Sequence, residues 1–126
     1  MRHVVALFGE AEKGPFKKPH YLRELPQLID LFGQPPPETE GLFFAIQALL
    51  FQRELIYFRV EEEGYSHADY YNGFKFLEEV KMLHALCLPG VAEPALLNAS
   101  DNICRVHKSC LITTQKDLYD YLTSTS

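Results

Sequence analysis

Five consecutive apolar residues, Val4-Val5-Ala6-Leu7-Phe8, run without a polar interruption into Gly9. A strand with one wet face alternates apolar and polar residues, so an unbroken run belongs to a strand covered on both sides. Such a strand needs partners within a sheet and helices above and below it. The remaining chain supplies both. Residues 55–60 form a second β-rich apolar run, and residues 85–88 and 110–113 form shorter ones. Helical spacing fills the intervals: residues 25–32, with Leu25, Leu28, Ile29 and Phe32 in register, then 38–52, 67–82, 94–106 and 114 to about 122. This alternation predicts a single α/β domain over residues 1–126, built on an open, largely parallel four-stranded sheet flanked by helices.

Local signals set the expected boundaries. Pro26 suits a first helical turn, and Gly33 suits a stop. Pro35-Pro36-Pro37 predicts a stiff connector. Glu38 and Glu40 then lie at a helix start, where the dipole favours acids. Thr114 with Asp117 resembles a capping box. Residues 9–19, rich in Gly, Pro and Lys, are expected as an exposed loop, residues 61–64 as a solvated turn, and residues 123–126 as a frayed tail.

Composition excludes several functions. Net charge is −5, and among the lysines only Lys17-Lys18 are adjacent, so the basic footprint of a nucleic-acid binder is absent. The most apolar helical run, residues 42–51, is half the length of a membrane span and contains Gln47. Arg2 precedes too short an apolar stretch for a secretory signal. Three cysteines, an odd number, argue against a disulfide framework and for a reducing, cytoplasmic setting.

Gly9 and Gly14 have the spacing of a phosphate-binding loop, but Pro15 and Phe16 stand where the lysine and hydroxyl must be. Proline also lacks the N–H that such a cradle donates. The two glycines are therefore read as shaping a rigid bend without an anion. Cys104, His107 and Cys110 offer three zinc-compatible side chains with no evident fourth; the strand position of Cys110 argues for a buried thiol, as does that of Cys87. Cys104 and His107 share a helix face, yet a helix C-terminus disfavours a thiolate. Asp69, Glu78, Glu79, Asp117 and Asp120 form no acid–base pair, and the default for such charges is a solvated face. No catalytic residue, metal or cofactor is expected. Phe74 and Phe76 are assigned to the core, while Tyr65, Tyr70 and Tyr71 are candidates for a protein interface. The competing reading is a small ligand-binding domain or enzyme that uses the loops at the carboxyl ends of its strands.

The order of landmarks resembles the core of contractile phage-tail sheath proteins. It comprises a strand, the loop Gly9, Ala11, Gly14, Pro15 and Pro19, a helix ending at Phe32-Gly33, an apolar helix and a strand ending in Arg59-Val60. A helix over Phe76-Leu77-Glu78-Glu79-Val80 follows, and then Leu86-Cys87-Leu88 runs into Pro89-Gly90. The resemblance implies a noncatalytic structural role, with these residues defining the fold. It also implies protein partners, through self-association or contact with other tail-like components, in the cytoplasm or on a particle. Sheath subunits carry a large outer domain after the strand matched by residues 55–60, where this chain has only residues 61–65, so the likeness is to a minimal core.

Overall fold

β1 (Val4–Gly9) lies at the centre of the sheet, where its uninterrupted apolar run requires it to be. A computed structural model describes residues 2–124; residues 1, 125 and 126 lie outside it. After β1 come β2 (His20–Leu22), α1 (Leu25–Phe32), α2 (Gly41–Leu50), β3 (Glu54–Arg59), α3 (His67–Glu79), β4 (Ala85–Cys87), α4 (Pro94–His107), β5 (Cys110–Ile112) and α5 (Gln115–Ser124). The strand order is β2-β3-β1-β4-β5. β1 pairs in parallel with β3 from Val4↔Glu54 to Gly9↔Arg59 and with β4 from Val5↔Ala85 to Leu7↔Cys87; β5 extends the parallel set beside β4.

The architecture is the anticipated α/β sheet, with a fifth strand added to the four expected. β2 pairs antiparallel with β3 and forms an edge. Its three residues, one of them exposed between two buried ones, are too few to stand out as a strand in sequence. Helices cover both faces. Val5, Leu7, Tyr57 and Cys87 pack with Phe32, Phe44, Leu49 and Leu118 from α1, α2 and α5. Ala6, Phe8, Ile56 and Phe58 pack with Phe74, Leu77, Leu96 and Ile103 from α3 and α4. The alternation along β1 thus divides one apolar run between two cores.

Phe8 anchors the α3 side. Its ring stacks on Phe58 at 4.5 Å and Tyr70 at 5.2 Å, and meets Phe74 edge-on at 5.4 Å. Such aromatic contacts add about 1 kcal/mol each beyond area burial. α3 reaches this depth because Gly73 faces Phe8; a methyl there would lie 2.3 Å from the ring.

Several boundaries differ from expectation. α2 starts at Gly41, so Glu38 and Glu40 precede the helix, and Glu38 takes a left-handed φ of 61°. α3 ends at Glu79 and leaves Met82 in the connection to β4. Of the tail expected to fray, Thr123 and Ser124 close α5, and residues 125–126 lie outside the described part. Within the loop after β1, Ala11 is buried while residues 15–18 are exposed.

One contact sets how closely α2 meets the sheet. A Cβ at Gly9 would fall 2.6 Å from the Cα of Gly41 and 2.6 Å from the Tyr57 hydroxyl, so the end of β1 and the start of α2 touch backbone to backbone. Gly9→Ala must push them apart, and the expected cost is about 3 kcal/mol, the upper range of core overpacking. Urea denaturation measures it.

Candidate functional site

In an open parallel sheet, ligands collect beyond the carboxyl ends of the strands, where the chain reverses its direction of travel across the sheet. Here β3 lies on one side of β1 and β4 on the other, so that reversal falls beside β1. The segments that meet there are the loop after Gly9, the start of α2, residues 60–66 after β3 and residues 88–93 after β4.

The protein's own carboxylate fills this place. Glu63 accepts hydrogen bonds from three amides: Glu10 N at 3.0 Å, Glu40 N at 2.6 Å and Gly41 N at 3.0 Å. The last two belong to the N-cap and the first residue of α2, so Glu63 caps this helix from twenty-odd residues away, where orphan donors and the positive end of the dipole favour an anion. The contact is reciprocal, because Glu63 N donates to Glu10 Oε2 at 2.9 Å. Tyr57 donates to Glu10 O at 3.0 Å, and Gly64 N donates to the Tyr70 hydroxyl at 2.7 Å. Residues 61–64 were expected as a solvated turn. Glu61 and Glu62 are exposed, but Glu63 is half-buried and ties three elements together. Burial raises the Glu63 carboxyl above its ordinary value of 4.5, outweighing the amide donors, and the Glu10 charge pushes the same way. Burial also raises the Tyr57 and Tyr70 phenols, which stay protonated.

A second knot fixes the loop after β1. Arg59, the last residue of β3, donates from Nη1 to Gly14 O and from Nη2 to Ala11 O at 3.0 Å. Its guanidinium lies 4.1 Å from the Phe16 ring centroid. Glu12 N and Lys13 N both donate to Phe32 O, at 3.1 and 3.3 Å, and Glu12 Oε1 accepts from Gln34 N just past Gly33. His20 Nε2 donates to Pro15 O at 3.2 Å. Gly9, Ala11, Gly14, Pro15, Gly33 and Arg59 are therefore brought into one assembly, with Pro19 next to His20 at the start of β2. Pro89 and Gly90 lie across the sheet end, where Gly90 O comes within 2.4 Å of the place a Cβ on Gly64 would take. The amides of residues 10, 12 and 13, which a phosphate would need, are spent on Glu63 and Phe32.

The remaining candidates separate. Among the described residues, no group of three or more His, Cys, Asp or Glu is placed to hold a metal ion. His107 Nε2 donates to Leu77 O at 2.7 Å, joining α4 to α3. Cys104 is buried, with its carbonyl accepting from Ser109 N at 2.9 Å, whereas Cys110, expected as a buried thiol, is exposed on the edge strand. Burial raises the Cys87 and Cys104 thiols, and partial desolvation raises that of Cys110 although the residue as a whole is exposed, so none is poised as a thiolate. Tyr70 is fully buried against Phe8 and leaves the proposed interface set; Tyr65 and Tyr71 remain exposed. Phe76, assigned to the core from sequence, is exposed instead, because it falls one helical position from the stripe of Gly73, Phe74 and Leu77.

Beside the Glu63 knot lies an acidic recess of about 390 Å3, lined by Glu10, Glu38, Glu40, Glu62, Tyr65 and Gly90 among others. Its walls offer carboxylates but no nucleophile with an oriented base. No helix among the described residues is long and apolar enough to cross a membrane. Fold and site together define an α/β domain whose carboxyl-end crevice is closed by internal hydrogen bonds. Comparison with known proteins finds no matching family model, no similar curated protein and no similar solved structure.

Two predictions concern Glu63. Glu63→Ala strands three amide donors and should cost about 3 kcal/mol in urea denaturation, at the upper end for unsatisfied buried groups. The pH dependence follows from the raised carboxyl. Folding favours its protonated form, so its contribution is fully present below pH 4.5 and is lost as pH rises through the higher folded-state value. The stability of the wild-type protein relative to Glu63→Gln should therefore fall over that window; a difference that rises with pH would contradict it.

Proposed function

We propose that this chain is a noncatalytic structural protein that self-associates, as the sheath core it resembles does. The observation that carries this reading is an apolar groove between α2 and α5, lined by Phe43, Phe51, Leu118, Tyr119 and Leu122 and edged by Gln47 and Gln115. Phe43 is 46% exposed and Tyr119 65%, and Leu50 on the same helix is 59% exposed. Aromatic side chains with polar neighbours have the make-up of a protein interface. The closed crevice supports the same reading, since Glu63 and Arg59 use the loop amides and carbonyls that a substrate would need. The likeness to tail sheaths itself rests on the sequence landmarks, and a place in the cytoplasm or on a tail-like particle goes with it.

A second reading, a ligand-binding domain, is favoured by the acidic recess of about 390 Å3 at the strand ends, whose charge suits an organic cation. Light scattering coupled to size exclusion, followed by negative-stain microscopy, separates the two. Self-association predicts species larger than 14.5 kDa that grow with concentration. Phe43→Glu and Tyr119→Glu should each return the chain to a monomer with an unchanged circular dichroism spectrum. A strict monomer at every concentration contradicts assembly.

A further inference from the structure

The other end of the sheet carries a groove used neither by the Glu63 knot nor by the α2–α5 surface. β2 has only three residues and α3 ends at Glu79, so the face of the sheet under α3 stays open near the start of β1 and β3. The opening has a volume of about 510 Å3, and Val4, Ile56, Tyr21 and Met82 supply much of its apolar lining. Tyr21 is 66% exposed and Met82 39%. The volume falls in the range of about 300–1,000 Å3 typical of small-molecule sites.

Polar groups on the same lining are weighted toward donors. Gln27 Oε1 is occupied by Arg23 N and Glu24 N, both at 2.9 Å, while its Nε2 has no hydrogen bond among the described residues. Arg23 uses Nε on Glu54 Oε1 at 3.0 Å, and its Nη atoms make no ion pair among the described residues. Lys81, also on the lining, has no ion pair among the described residues. Two cations against the one carboxylate of Glu54 make the groove locally positive in a chain whose net charge is −5. An apolar floor with surplus donors at its rim is complementary to a molecule with an apolar body and an anionic head.

We infer that this groove binds a free amphipathic carboxylate, such as a medium-chain acyl acid. The chain lies over Val4, Ile56 and Met82, and the carboxylate meets the ammonium of Lys81. This inference is independent of self-association, because none of these residues belongs to α2 or α5.

Decanoate titrated into the full chain, followed by amide chemical shifts, tests it. Saturable shifts are expected at Val4, Tyr21, Ile56 and Met82. Decanol, with the same tail and no charge, should bind about tenfold more weakly, the loss of one charge-assisted contact. Lys81→Met should weaken decanoate by a similar factor and leave decanol unchanged, while Met82→Asp should weaken both. Both side chains are exposed, so the fold survives these changes. The inference is overturned by an absence of saturable shifts, by shifts centred elsewhere or by equal decanoate affinity in Lys81→Met. A response only to anionic lipid vesicles, with none to monomeric decanoate, overturns it equally.

Discussion

A single carboxylate organises the carboxyl end of this sheet. Glu63 follows β3, yet its oxygens receive amides from the loop after β1 and from the first turn of α2. A helix N-terminus is a natural place for an anion, and many α/β proteins leave it open for a phosphate. Here the chain supplies the anion itself. The bond from Glu63 N back to Glu10 Oε2 locks two loops in register, and the contact between Gly9 and Gly41 lets α2 come close enough for the capping to occur. Remove the glycines and the amides move out of reach; remove the carboxylate and the amides lose their acceptor.

Arg59 plays the matching part on the other side of β1's exit. Its two donors reach the carbonyls of Ala11 and Gly14, so the bend is held from within by a strand end instead of by a bound ligand. The crevice is thereby filled largely by the chain's own groups. Two apolar surfaces stay open to solvent: the α2–α5 groove around Phe43 and Tyr119, and the sheet face beside Tyr21 and Met82. The first has the composition of a protein contact, and the second has the volume and charge of a small amphipath site.

The α/β architecture was legible in the sequence because buried parallel strands leave a strong mark. Val4 to Phe8 had no charged or hydrogen-bonding side chain, and Leu55 to Phe58 within β3 came close to repeating the pattern. Pro26 and Gly33 marked the ends of α1 through backbone chemistry alone. β2 was hidden because three residues carry too little periodicity. Tyr70 and Phe76 exchanged the roles expected of them, since two aromatic residues six apart on a helix differ in facing by more than composition reveals. The failure of the loop to imitate a phosphate cradle was readable in Pro15, and the occupied amides give the physical reason. Glu63 was missed because it sits in Glu61-Glu62-Glu63, where three acids in a row suggest solvation. The available signal was its position, an acid beside a glycine just past the end of a buried strand.

Amide hydrogen exchange tests the central claim most directly. If the Glu63 carboxylate holds these three elements, the amides of Glu10, Glu40 and Gly41 should be strongly protected in the wild-type protein, and added inorganic phosphate should leave their rates and chemical shifts unchanged. Fast exchange at these amides, or a saturable response of the same three to phosphate, would mean that the anion place is vacant, contradicting an internally capped crevice.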